Sequence, residues 1–184
     1  WGLAFWIEYQ DKHILLDTGG GENFAHNAAA LGIYLSRADF AVLSHAHWDH
    51  ADGLPAFFRR NLTAPLYLRQ GCGEDCYDRT DRGWRYEGIR KGTLAEYADR
   101  IRFVSGPFSP APGVSLLPHT TPGLAAKGKA GKMYRLRDGK YTPDDFSHEQ
   151  SLVFQTDRGL IIFNSCCHAG ADVIVWETQE AFPG

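Results

Sequence analysis

Apolar and polar positions along the chain fall into short blocks that predict a layered α/β protein. Residues 3–9 and 13–17 are apolar runs on either side of Gln10-Asp11-Lys12, the pattern of a β-hairpin. Asp17-Thr18-Gly19-Gly20-Gly21 ends the second run with turn-forming residues. Residues 22–31 are alanine-rich, with an acid near the start and Gly32 behind them, which predicts a short helix with its stop signal. Residues 40–44 have the composition of a buried strand. A second helix is expected next, with Asp52 as N-cap and Pro55 in its first turn, then a strand over 65–69. From Gly71 to about Gly92 periodicity vanishes and the segment reads as a surface excursion. Residues 101–105 and 114–117 are short strands, and the Gly/Lys/Ala-rich stretch 122–132 reads as mobile. A second hairpin is predicted from 151–156 and 160–164 around Asp157-Arg158-Gly159. Hairpin, helix, strand, helix, strand and further strands argue for a mixed α/β fold in layers, without a fixed-period repeat.

Composition narrows the function classes. The 184 residues are 43% hydrophobic and 13% aromatic, enough for one core and one domain. A net charge of -3 argues against a broadly basic nucleic-acid binder, so no nucleic-acid partner is expected. No apolar window is long enough for a membrane span, and no signal peptide is expected from these residues. Four cysteines, two of them the neighbours Cys166 and Cys167, make a poor disulfide framework; Cys72 and Cys76 could pair, but a reduced, cytoplasmic chain is the expectation.

The chemistry concentrates in Ser44-His45-Ala46-His47-Trp48-Asp49-His50-Ala51-Asp52-Gly53, between the predicted buried strand and the second helix. On an extended backbone residues 45, 47 and 49 share one face. His50 would point away unless the chain has begun to turn. Three imidazoles and a carboxylate converging from one strand end suit Zn²⁺ or a similar borderline metal. The chain's own His and Asp frequencies give roughly 0.001 expected occurrences of H-x-H-x-D-H, so chance is a weak explanation.

Three stretches carry a family resemblance: Ile14-Leu15-Leu16-Asp17-Thr18-Gly19, residues 42–54 with the histidine cluster, and residues 149–170 with Cys166-Cys167-His168-Ala169-Gly170. Together they resemble the metallo-β-lactamase superfamily, in the branch similar to dihydropterin ribofuranosyl-aminobenzene phosphate synthases. The resemblance implies an αββα sandwich and a binuclear metal-dependent hydrolase. His45 and His47 would hold one metal, Asp49 and His50 the second, with His168 as a further ligand and Cys166 as a thiolate where many members carry a bridging Asp. Zn²⁺ in two sites is implied, with Mn²⁺ or Fe²⁺ as alternatives. Asp49 and His47 would serve catalysis around a metal-bridged hydroxide, and Asp17 would orient a ligand histidine. The substrate implied is a small, phosphorylated molecule.

Departures from that pattern shape the other expectations. Ser165 stands where the branch usually has Gly, and Cys167 where it has a small residue. Leu124 in Thr121-Pro122-Gly123-Leu124 replaces a ligand histidine of other branches, while His119 just upstream is a candidate for the pocket. Trp48 is read as a wall of that pocket, and His148 as a surface group at a strand start. The branch's last metal histidine lies downstream of His168, and no histidine follows Gly170. Residues 1–184 are therefore expected to be a single domain, truncated by a short N-terminal piece and a final strand–helix unit. The rival readings are a nucleic-acid phosphodiesterase of the same superfamily and a metal-binding remnant without turnover. A flavodiiron-type oxidoreductase fits less well, because that group has Glu where this chain has His47.

Overall fold

The computed structural model describes residues 2–183. The first hairpin pairs β1 (Phe5–Tyr9) with β2 (Lys12–Leu16), with Trp6 opposite Leu15. Helix α1 (Asn23–Ala30) follows, then β3 (Phe40–Val42), the short helices α2 (Trp48–Ala51) and α3 (Leu54–Arg60), and β4 (Leu66–Arg69). Strands β5 (Cys76–Thr80) and β6 (Gly83–Tyr86) lead through α4 (Thr93–Glu96) to β7 (Ile101–Val104). Next come β8 (Phe108–Ala111), β9 (Val114–Pro118), α5 (Leu124–Ala130), β10 (Met133–Arg137) and β11 (Lys140–Pro143). The chain closes with β12 (Gln150–Thr156), β13 (Gly159–Phe163) and α6 (Ala171–Ala181).

Two sheets build the scaffold. In the first, ordered β1-β2-β3-β4-β7, the strands from β2 onward are parallel. The second, β13-β12-β9-β8, is antiparallel throughout. Side chains alternate across a strand, so the first sheet feeds two cores. Ile14, Leu16, Phe40 and Val42 pack against Val114, Leu116, Leu152 and Phe154 of the second sheet. Leu15, Ala41, Leu43, Leu66 and Leu68 face the other way, onto Ala25, Ala28, Leu54, Phe57 and Phe58 of α1 and α3. Each fully buried Leu, Ile, Val or Phe contributes about 1.5–3 kcal/mol.

The third sheet, β11-β10-β5-β6, replaces the structureless excursion expected over 71–92. Two local hairpins, β5–β6 and β10–β11, join through a non-local pairing that sets Tyr134 opposite Tyr77, and Trp84 stacks on Tyr141 at 3.7 Å between ring centroids. Mixed charges along β5 and β6 hide the alternation from a scan of neighbours. Within the stretch 122–132, read as mobile from its composition, Leu124–Ala130 form the helix α5. Asp52 does not cap α3, whose N-cap is Gly53; its carboxylate accepts the Arg90 N–H at 3.1 Å instead. Gly53 is required there, because a Cβ would run into the Thr18 carbonyl and the Phe24 ring.

Candidate metal centre

The backbone stays extended through His47 (φ −99°, ψ 148°) and turns helical at Trp48. That turn answers the question the alternation left open, since Asp49 and His50 sit on α2 rather than on a continuing strand. Isolated bridge pairing of His47 with Gly88, and the Trp48 N–H to Glu87 carbonyl bond of 3.0 Å, tie the motif to the third sheet.

Four imidazoles converge: the His45 ring centroid lies 4.7 Å from His47, 4.2 Å from His50 and 4.9 Å from His168. His45, His47 and His168 can each offer a ligand atom within 4.8 Å of the others, and His45, His50 and Cys166 do the same. Cys166 Sγ is 3.2 Å from His50 Nε2, and Asp49 Oδ2 is 3.6 Å from that nitrogen. The cluster therefore unites His45, His47, Asp49, His50, Cys166 and His168.

Hydrogen bonds decide which nitrogens face inward. Ser44 Oγ donates to Asp17 Oδ2 at 2.7 Å, so it accepts from His45 Nδ1–H, also at 2.7 Å. The lone pair of His45 is left on Nε2, and both His45 Nε2 and His168 Nε2 are buried with no partner among the described residues. Buried, unpartnered nitrogens are costly unless a ligand satisfies them. A divalent metal would satisfy them, and the four imidazoles, one thiol and one carboxylate of the cluster are donor types that zinc takes.

Asp17 is the hub behind these ligands. Its backbone is left-handed at φ 60°, a conformation Asp tolerates better than most residues. Buried and ionisable, it accepts from Ser44 N–H at 2.7 Å, Ser44 Oγ, His50 Nδ1 at 2.8 Å and Ser165 Oγ at 2.5 Å. Ser165 is thus a bonded part of the site rather than a neutral replacement for Gly. Ser44 and Ser165 were legible only as neighbours of ligand residues.

Electrostatics divide the cluster. Burial, then the neighbouring imidazoles, hold His45 and His47 well below the usual histidine range. For His50 burial works in the same direction, but Asp17 and Cys166 override it and raise the pKa to about 10. Burial also pushes the Cys166 thiol up, and the neighbouring His168 and His50 imidazoles more than offset it, down to about 7. Cys72 and Cys76 do not pair; both are buried free thiols.

His119 does not join the cluster. Its Nδ1 is 2.7 Å from Glu177 Oε2 and its Nε2 is 3.4 Å from Glu149 Oε2, so two carboxylates clamp the ring. Glu177 also accepts the Thr120 and Thr121 N–H groups at 2.7 Å each, joining α6 to the segment after β9. Trp48 does line a cavity, of about 670 Å³, with Phe5, Trp6 and Phe24 on its apolar side. None of the six clustered ligand candidates lines that cavity. His148 is fully buried, not a surface group. Glu149 accepts from the His168 and Ala169 N–H groups at 2.9 Å each and fixes the loop that presents His168.

Comparison with known proteins agrees with this geometry. The sequence profile of the metallo-β-lactamase superfamily matches residues 2–128. The 7,8-dihydropterin-6-methyl-4-(β-D-ribofuranosyl)-aminobenzene-5'-phosphate synthase of Methanocaldococcus jannaschii is 28% identical over 183 residues, covering 92% of this chain and 62% of that protein. This chain thus spans less than two thirds of that relative's length. A ribonuclease of Thermus thermophilus is 35% identical over 68 residues, 36% of this chain and 16% of its own. Tm1679, a metal-dependent hydrolase of the β-lactamase superfamily, superposes with a TM-score of 0.76 at 27% identity, covering 96% of this chain and 67% of its own.

Proposed function

Because the chain belongs to the metallo-β-lactamase superfamily, we propose that it is a binuclear metal-dependent hydrolase, or a related transferase, acting on a small phosphorylated substrate. The observation that carries this reading is the pair of buried, unpartnered nitrogens, His45 Nε2 and His168 Nε2, within one group of imidazoles. In this reading His45, His47 and His168 hold one ion, while Asp49, His50 and Cys166 hold the second. Zinc, or else manganese or iron, bound there would supply Lewis acidity, lowering the pKa of water towards neutrality and polarising a substrate oxygen.

The chain's own residues prepare that chemistry. Asp17 fixes the His50 tautomer by accepting from Nδ1, which turns Nε2 towards Cys166. Ser44 does the same for His45. Asp49, partly exposed beside His50, is placed to accept a proton from a nucleophile approaching from solvent. His47, kept neutral by burial, is available as a ligand across the physiological pH range.

A phosphorylated small molecule is favoured over a polynucleotide by the net charge of -3, since a nucleic-acid track needs a basic surface. The similarity to the ribonuclease keeps phosphodiester cleavage as the second reading. Four unpaired cysteines fit a reducing, cytoplasmic setting, and among the described residues no helix is long and apolar enough to cross a membrane.

Metal analysis joined to turnover tests the proposal. The protein should bind close to two equivalents of Zn²⁺ or Mn²⁺, roughly as the ligand count implies, and His47→Ala should lose most of it. The loaded protein should cleave a chromogenic phosphate ester or diester and leave an oligonucleotide intact. Protein that binds no metal refutes the reading, and bound metal without turnover leaves the metal-binding remnant as the answer.

A further inference from the structure

Behind His47 lies a second polar cluster made of Cys76 on β5, Asp144 just after β11 and His148 just before β12, all buried. Together with His47 they offer four ligand atoms within 4.8 Å of one another, as a metal site would. The separations fit such a site as well: His148 Nε2 is 3.0 Å from Asp144 Oδ2 and 4.0 Å from Cys76 Sγ.

The tautomer excludes a cation there. The Ala46 N–H donates to His148 Nδ1 at 3.0 Å, which uses that nitrogen's lone pair. The ring proton must then sit on Nε2, where it is donated to Asp144. Neither nitrogen keeps a lone pair for a metal. Asp144 is equipped for its part: its Oδ1 accepts the Phe146 N–H at 2.8 Å. Burial disfavours its charge, yet His148 and Arg135 hold the carboxyl well below the usual range.

Ala46 is the residue between the two histidines of H-x-H. Its N–H lies on the peptide that joins it to His45, and it is anchored by a ring 5.4 Å from His47 and 6.2 Å from His45 between centroids. The next residue, Glu149, holds the His168 loop through two backbone N–H groups. Two consecutive residues thus brace all three imidazoles of the first metal group from behind.

We propose that His148, locked by Asp144, is a positioning residue that sets the H-x-H backbone and with it the affinity and geometry of the first ion. This rests on the metal-centre reading above. Substitutions of partners that orient metal ligands typically weaken binding by about 10- to 100-fold.

Two amide variants separate positioning from space filling. In His148→Asn the side-chain oxygen falls near the Nδ1 position and can still accept from Ala46. In His148→Gln the amide reaches the Nε2 position, keeps the bond to Asp144 and gives up Ala46. Zinc affinity by chelator competition and the visible spectrum of the Co²⁺-loaded protein are read on both, with circular dichroism confirming the fold. His148→Gln should bind zinc about 10- to 100-fold more weakly with an altered cobalt spectrum, and His148→Asn should stay near the parent in both. A ranking by size, Gln equal to or better than Asn, overturns the proposal. If neither variant folds, Asp144→Asn carries the test: weakened zinc binding supports the proposal and parental binding overturns it. Cys76→Ser should leave the zinc stoichiometry unchanged, and loss of an ion there would overturn the tautomer argument. A parent protein that binds no zinc refutes the metal-centre reading itself, whereas a zinc-binding parent with indifferent variants refutes the positioning role alone.

Discussion

Asp17→Asn is the most informative single change, because Asn matches Asp in shape and tolerates the same left-handed backbone at φ 60°. The change therefore isolates charge and hydrogen bonding. Oδ2 receives three donors and Oδ1 receives the Ser44 N–H. An amide can present its oxygen to only one of these sides. If it faces the three donors, its NH₂ opposes the Ser44 N–H, and a buried unpaired donor costs about 1–3 kcal/mol. The lost interaction with His50 is the larger effect. Raising His50 from 6.5 to about 10 is worth at most about 5 kcal/mol at 1.36 kcal/mol per pH unit, with Cys166 contributing a share. A net loss of about 3–5 kcal/mol follows, comparable to breaking other buried pairs. For a chain of this size that lowers Tm by about 6–20 °C.

The sign of the pH dependence is fixed too. A histidine raised on folding contributes its full stability below 6.5 and loses it as pH rises through about 10. Thermal unfolding of metal-stripped protein, followed by circular dichroism at pH 6.5 and pH 10, should show a large gap between parent and variant that narrows at the higher pH. A Tm loss below about 2 °C at pH 6.5, on the same size scaling, would refute the assignment of Asp17 as the hub. So would a gap that stays constant with pH.

Two further outcomes follow from the same electrostatics. His45 and His47 lie below 6.5 when folded, so unfolding takes up two protons once the pH drops beneath that value. Their contribution is complete above 6.5 and is lost as pH falls, at up to about 2.7 kcal/mol per pH unit; urea midpoints of metal-stripped protein that stay flat from pH 6.5 to 5 would contradict it. Cys166, drawn down to about 7 and exposed, should be alkylated by iodoacetamide near neutral pH ahead of the buried thiols Cys72 and Cys76. Peptide mass spectrometry of metal-stripped Cys167→Ser protein measures this, and faster labelling at Cys72 or Cys76 would contradict the buried placement of those two residues.

Local pattern was enough for the hairpins, for β3 and for the imidazole cluster, because each depends on residues within a few positions of one another. Within β2 the alternation of Ile14 and Leu16 against Leu15 sends these side chains into opposite cores. H-x-H-x-D-H named His45, His47, Asp49 and His50 from spacing alone, and the family resemblance added His168, Cys166 and Asp17. What the sequence could not show is what lies across space. His148 and His119 look alike as isolated histidines beside polar neighbours. Tertiary packing brings one under Ala46 and clamps the other between Glu149 and Glu177. The third sheet stayed hidden because its two local hairpins, β5–β6 and β10–β11, join only through the pairing of β5 with β10, more than fifty residues apart. Sequence determines the kind of donor atom and its local spacing. The fold alone decides which lone pairs are taken by neighbours and which are left facing one another, because a hydrogen-bond partner is a matter of distance in space.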